Sequence, residues 1–126
     1  MILLDTSALV ACVASPRPAA AHLEHLLAGG ERLALPALTL YEWLRGPRSD
    51  AELEDQEALF PRAGAIPFGV EEAARAAVLF RRLARSRSRA TDLAIAATAL
   101  VHDAALWTLN PRDFADIPGL RLVRLR

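Results

Sequence analysis

Short apolar segments alternate with helical patterns along this chain, and this alternation limits the fold more than any other feature of the sequence. The first segment, Ile2-Leu3-Leu4, is entirely apolar and ends at a turn, as a buried strand does. Similar segments follow at residues 32–36 and 104–109, with helical patterns between them. Apolar strands connected through helices form parallel sheets that are covered on both faces. We therefore predict one α/β domain over residues 1–126, with a mainly parallel sheet of about four to five short strands.

Capping residues, prolines and glycines set the bounds of the predicted helices. Ser7 or Thr6 is expected to cap the first helix, and Thr91 or Ser88 to begin the last one. Ser49 is expected to cap the helix at 49–61, with Glu52 at the spacing of a capping box. Further extended segments are expected at 63–68 and, as an edge strand with one solvated face, at 120–125. Two of the predicted helices end at residues 13 and 28. Four more are predicted over residues 37–45, 49–61, 70–85 and 91–102.

The segment 70–85 has strong helical periodicity, which predicts an amphipathic helix. We expect its core-facing side to carry three alanines together with Val78 and Leu83. Those alanines are Ala73, Ala74 and Ala77.

The charged residues exclude several classes of function. All 15 basic residues are arginine, and they balance 15 acidic residues, so the formal net charge is zero. The absence of lysine excludes Walker-type phosphate loops and Schiff-base chemistry. The single cysteine, Cys12, excludes a disulfide framework within the chain and suits a reducing compartment, so we expect a cytoplasmic protein. No signal peptide or membrane span is expected.

Carboxylates fall where the predicted strands end. Asp5 directly follows the first strand, Glu42 lies on the helix after the second, and Asp92 lies in the first turn of the helix before the third. Asn110 and Asp113 directly follow the third strand. Because ligands of open α/β sheets bind beyond the carboxyl ends of the strands, these side chains are expected to share one edge of the sheet.

A cluster of such carboxylates would need a cation. Two carboxylates about 4 Å apart repel each other by roughly 4 kcal/mol at an effective dielectric constant near 20. Oxygen ligands suit Mg²⁺ or Mn²⁺, and such an ion supports phosphodiester hydrolysis. Each acid also has a structural interpretation: a turn or cap for Asp5, a favourable helix dipole for Asp92, and a core ion pair with an arginine for Glu42.

Taken together, the chain resembles the PIN domain nucleases, and in particular the VapC-type toxins of bacterial toxin–antitoxin pairs. The resemblance implies a PIN-like, Rossmann-like arrangement of three α/β/α layers. Four segments carry it, in the order in which the family has them: Ile2–Leu9, Leu40–Gly46, Thr91–Ala97 and Leu106–Phe114.

The resemblance also implies the roles of the acids. Asp5 and Asp92 would ligate Mg²⁺ or Mn²⁺ most directly, and Glu42 would act on the metal or on its water. Asp113 would be the fourth catalytic acid, with Asn110 as an alternative neutral ligand or water-positioning group. The catalytic set implied in this way is Asp5, Glu42, Asp92 and Asp113, and Thr6 or Ser7 would hydrogen-bond the scissile phosphate or a water on the metal.

By the same resemblance, the protein would be an endoribonuclease toxin that cleaves an RNA such as a tRNA or rRNA. It would form a homodimer and bind a cognate antitoxin protein. The arginine block at residues 75–89 would then contact RNA phosphates or, alternatively, be a solvated helix face.

Two other functions compete with this one. A catalytically weak PIN-like binding module is compatible with the asparagine at position 110. A haloacid-dehalogenase-like phosphatase also begins with a strand and an aspartate. That family needs a second aspartate two residues later, where this chain has Ser7, and it usually needs a lysine.

Overall fold

A computed structural model describes residues 1–124, and a parallel β-sheet forms its centre. The strands are β1 (Ile2–Leu4), β2 (Leu33–Ala34) and β3 (Ala105–Trp107), in the order β2-β1-β3. In the register of the sheet, Ile2 of the central strand pairs with Leu33 on one side and with Ala105 on the other. All pairings are parallel, as the alternation of strands and helices predicts.

Two parallel bridges extend this sheet at its edges. Pro36 pairs with Ile66 beside β2, and Leu106 pairs with Leu122 beside β3. The extended segments predicted at 63–68 and 120–125 therefore contribute one bridge each rather than full strands, and Leu125 lies outside the described residues. Within residues 1–124, the three strands and two bridges account for the predicted four to five positions of the sheet.

Helices cover both faces of the sheet. On β1, Ile2 and Leu4 pack into one apolar core with α1, whereas Leu3 between them packs into a second core with α6. This division follows from the alternation of side chains along a strand. The helices are α1 (Thr6–Val13), α2 (Ala20–Ala28), α3 (Ala37–Leu44), α4 (Asp50–Leu59), α5 (Val70–Arg82) and α6 (Ala90–Val101).

The predicted caps are right for α4 and wrong for α1 and α6. Ser49 forms the expected capping box at the start of α4. Asp5, rather than Ser7 or Thr6, caps α1, because its carboxylate accepts a hydrogen bond from the backbone N–H of Ala8. At α6 neither Thr91 nor Ser88 is the cap, since a short 3₁₀ turn at Ser86–Arg89 leads directly into the helix.

The buried face of α5 also differs from the predicted one. Leu79 and Glu72 are buried and Ala76 and Leu83 are partly buried, whereas the three alanines at positions 73, 74 and 77 are exposed. The leucines decide the orientation because each removes more apolar surface from water than an alanine does. Among residues 1–124, no helix is long and apolar enough to cross a bilayer.

Candidate active site

Asp5 is the most buried acid at the carboxyl end of the sheet. Its side chain lies between β1 and α1 and is only 5% exposed. One carboxylate oxygen, Oδ1, accepts hydrogen bonds from Ser7 Oγ at 2.7 Å and from the backbone N–H of Ala8 at 3.0 Å. The other, Oδ2, accepts from Thr108 Oγ1 at 2.6 Å. Three donors therefore fix the carboxylate in one orientation.

Ser7 and Thr108 also attach the turn after β3 to this carboxylate. Thr108 Oγ1 accepts from the backbone N–H of Asn110 at 3.0 Å, and Ser7 Oγ accepts from the backbone N–H of Leu109 at 3.0 Å. Each hydroxyl thus donates a hydrogen bond to Asp5 and accepts one from a backbone N–H of the turn. Thr108 was not among the predicted site residues, because no local pattern shows that it faces a residue more than a hundred positions earlier.

Glu42 lies on α3 and faces Thr6. Its Oε1 accepts a hydrogen bond from Thr6 Oγ1 at 2.6 Å, and its side chain is 20% exposed. The helix is only partly buried, since Tyr41 and Leu44 are both exposed. The alternative of a core ion pair is wrong: Arg45, the paired arginine, is largely exposed and 3.4 Å from Glu42 Oε2.

These contacts bear on the expected role of the two hydroxyls near the phosphate. Thr6 donates a hydrogen bond to Glu42, and Ser7 donates one to Asp5. A hydroxyl has a single proton to donate. In this arrangement, both side chains therefore position carboxylates.

Asp92 is half-buried in the first turn of α6, and its pKa is raised. Burial raises the pKa of this carboxyl above its ordinary value, and the negative charges of Asp5, Asp113 and Glu42 raise it further. Arg89 acts in the opposite direction. The charges of the three other acids named from the sequence therefore all act on Asp92.

Arg89 is held by Asp116, which was not among the predicted site residues. Its guanidinium forms a two-pronged pair with Asp116, with Nη1 2.9 Å from Oδ2 and Nη2 2.6 Å from Oδ1. It also donates to the backbone carbonyls of Asp113 at 2.9 Å and Ala84 at 3.2 Å. Asp116 raises the pKa of Arg89, and Arg89 lowers the pKa of Asp116. Arg89 therefore fixes the turn that carries Asp113, unlike the rest of the arginine block.

Asp92 and Asp113 line a common pocket of about 390 Å³. Arg85, Arg89 and Arg112 contribute its basic groups. Asp5 and Glu42 lie outside this lining. Asn110 is exposed and also lies outside it.

The donor atoms of the site are oxygens, which suits a hard divalent cation. The raised pKa of Asp92 agrees with this, since a cation would offset the repulsion among the carboxylates. Within residues 1–124, no three Asp, Glu, His or Cys side chains are arranged so that they could hold a metal ion together. Mg²⁺ in proteins commonly takes one or two carboxylates and completes its shell with water and substrate phosphate. The residues present fit a site of that open kind.

Comparison with known proteins places the chain in a family. A model of the PIN domain matches residues 2–120. The chain therefore belongs to the PIN domain family. Within that family, it is similar to a Mycobacterium tuberculosis protein named Ribonuclease VapC19, with 37% identity over 124 residues that cover 96% of this chain and 98% of the relative. A Rickettsia felis protein named Ribonuclease VapC1 is 40% identical over 60 residues, 46% of this chain and 45% of the relative.

Solved structures show the same fold. A toxin–antitoxin complex from Klebsiella pneumoniae contains a chain with a TM-score of 0.72 and 28% identity, and the match covers 95% of both chains. A DNA-bound VapBC complex from Salmonella typhimurium has a TM-score of 0.76 at 23% identity, covering 97% of this chain and 96% of the other. At that identity the second likeness concerns the fold alone.

Proposed function

We propose that this protein is a metal-dependent endoribonuclease and the toxin of a toxin–antitoxin pair. The observation that carries the proposal is the convergence of acids near Asp92: Asp113 lines the same pocket, the adjacent Thr6 and Ser7 hold Glu42 and Asp5, and the charges of these acids add to the effect of burial in raising the pKa of Asp92. Such an accumulation of negative charge costs stability, so its presence favours a function that uses it. The relatives named Ribonuclease VapC19 and VapC1 support ribonuclease chemistry.

In this proposal, Asp5 and Asp92 hold Mg²⁺ or Mn²⁺. When bound, the ion would neutralise charge on the phosphoryl group and activate water for attack. Ser7, Ala8 and Thr108 keep the Asp5 carboxylate in place, so that it needs no reorganisation when substrate arrives.

Glu42 is proposed to accept a proton from the attacking water. Thr6 fixes its Oε1, and its Oε2 has only the long contact with Arg45, so that oxygen is available to a proton donor. Asp113 is proposed as the fourth acid in preference to Asn110, because it shares a pocket with Asp92 and acts on the pKa of that residue.

The partners follow from the relatives. Because VapBC and toxin–antitoxin complexes share the fold, we propose that the protein binds a cognate antitoxin and acts in the cytoplasm on an RNA such as a tRNA or rRNA. We further propose that residues 1–126 act as one PIN-like domain and that two copies form a homodimer.

The test compares isosteric amide variants. Asp92→Asn and Asp5→Asn should each reduce Mn²⁺-dependent cleavage of total cellular RNA by at least about 100-fold, because each removes a negative charge from the proposed metal site. Asp103→Asn is the matched control, since Asp103 is almost fully exposed and lies outside the acidic pocket. Gel electrophoresis of the RNA provides the readout. Cleavage that survives in the Asp5→Asn/Asp92→Asn double variant would contradict the proposal.

A further inference from the structure

The pocket beside Asp92 and Asp113 contains three arginines, and they differ in what they contact. Arg89 is almost fully buried and uses its donors on Asp116 and on two backbone carbonyls. Arg85 and Arg112 are exposed, and within residues 1–124 neither guanidinium pairs with a carboxylate or donates a hydrogen bond. Two cations with free donors therefore border the acidic site.

The backbone at Arg85 carries a second, independent observation. Arg85 has φ +55° and ψ +34°, in the left-handed region that glycine adopts readily and an arginine adopts only at a cost. The turn is held there by Ser86 Oγ, whose single proton is shared between the carbonyls of Phe80 and Leu83, and by Ser88 Oγ, which donates to the carbonyl of Arg85. Strained positions of this kind cluster where a side chain has a function.

The charge of the pocket indicates what the two guanidinium groups would bind. A phosphodiester chain that approaches Asp92 and Asp113 is repelled by both carboxylates. The charge of Asp116 is already paired with Arg89. Guanidinium groups bind phosphate oxygens through two parallel hydrogen bonds, so the two free arginines could offset this repulsion.

We propose that Arg85 and Arg112 together bind a backbone phosphate of the RNA next to the bond that is cut. This inference rests on the proposed ribonuclease function and adds to it a subsite for the flanking nucleotide. It also divides the arginine block: Arg89 is structural, whereas Arg85 acts with Arg112, a residue outside the block. The remaining arginines of the block line no part of this pocket.

Binding of a fluorescein-labelled single-stranded RNA tests the subsite without cleavage. The Asp92→Asn protein serves as the background, in KCl and without divalent ions, with fluorescence anisotropy as the readout. Arg85→Ala/Arg112→Ala should weaken binding at least tenfold and reduce the slope of log K against log salt by about 0.7, because one phosphate contact with a single strand contributes about 0.7. The control, Arg75→Ala/Arg81→Ala, removes the same charge from exposed positions of α5 outside the pocket. Equal losses in the two double variants would overturn the proposal.

Arg85→Gly separates binding from folding. Glycine relieves the strain at a positive φ, so the melting temperature should stay the same or rise while RNA affinity falls. A loss of affinity that occurs only with a lower melting temperature would overturn the proposal, as would unchanged affinity.

Cleavage distinguishes this inference from the proposed function. If the native protein cleaves no RNA, the proposed function fails. If it cleaves RNA and Arg85→Ala/Arg112→Ala leaves KM unchanged, only the phosphate subsite fails. The subsite predicts a KM that rises at least tenfold.

Discussion

Hydroxyl groups and a backbone amide satisfy the most buried carboxylate of the candidate site. Asp5 accepts hydrogen bonds from Ser7, Ala8 and Thr108, and Glu42 accepts one from Thr6. These contacts join residues at the ends of different strands and helices. They orient the carboxylates but add no positive charge, so the repulsion that raises the pKa of Asp92 is not offset by them.

At this scale, Thr108→Val should uncouple Asp5 from the turn after β3. Valine has nearly the shape of threonine but no hydroxyl, so Asp5 Oδ2 loses a donor and the N–H of Asn110 loses an acceptor. We expect the free energy of unfolding to fall by about 2 kcal/mol. Cleavage should fall by about tenfold or more, because the turn that carries Asp113 is displaced.

Thr98→Val is the matched control. Thr98 is also buried, but its hydroxyl donates to the carbonyl of Ala94 within α6. Urea denaturation and an RNA cleavage assay compare the two variants. Equal activity in both would show that the Thr108 hydroxyl has no part in the site.

At the scale of the elements, α5 is anchored through the buried Glu72. Its Oε1 accepts from the backbone N–H of Gly69 at 2.9 Å, and its Oε2 lies 3.1 Å from His102 Nε2 at the end of α6. Hydrogen bonds from its own and the Gly69 backbone N–H lower the pKa of Glu72, and His102 contributes to the same shift. One carboxylate thus caps α5 and joins it to α6.

Glu72→Gln should therefore destabilise the protein in a pH-dependent way. Because folding lowers the pKa of Glu72, its charged form stabilises the fold above the unfolded pKa, and this contribution is lost as the pH falls through the folded pKa. The urea midpoint of the variant should lie below that of the native protein at neutral pH, and the difference should shrink in acid. Glu71→Gln, in the exposed neighbouring position, is the control. A difference that does not change with pH would contradict this interpretation.

At the scale of the whole molecule, the position of the acids couples folding to metal binding. Helices on both faces bury the sheet, and the turns at its carboxyl end carry Asp5, Thr108 and Asp113. Asp92 enters the same region from α6, a helix whose residues 95–99 are buried. Any cation that binds there stabilises the folded state by mass action.

The effect of Asp92→Asn on the melting temperature should change sign when Mn²⁺ is added. Without divalent ions the variant should melt above the native protein, because it lacks the charge that Asp5, Asp113 and Glu42 repel. With Mn²⁺ the native protein should gain about 2.7 kcal/mol at a hundredfold excess over Kd, and the variant should gain less. Differential scanning calorimetry measures both. An equal Mn²⁺ shift in the two proteins would contradict Asp92 as a ligand.

Local sequence patterns determined the elements of this protein. Apolar runs, glycines and prolines predicted the three strands, the ends of α2 and α3, and the capping box of α4, because these depend on residues close in the chain. The position of acids after strands predicted which residues meet at the edge of the sheet. That prediction follows from the parallel sheet, which places the carboxyl ends of its strands together.

Only the tertiary structure decided which distant side chains meet. The contact of Thr108 with Asp5 and the pair of Arg89 with Asp116 join positions that no periodicity relates. The buried face of α5 was also decided by packing, since alanines and leucines offered two apolar faces. Competition for burial is settled by the whole core, and a local pattern does not contain that information.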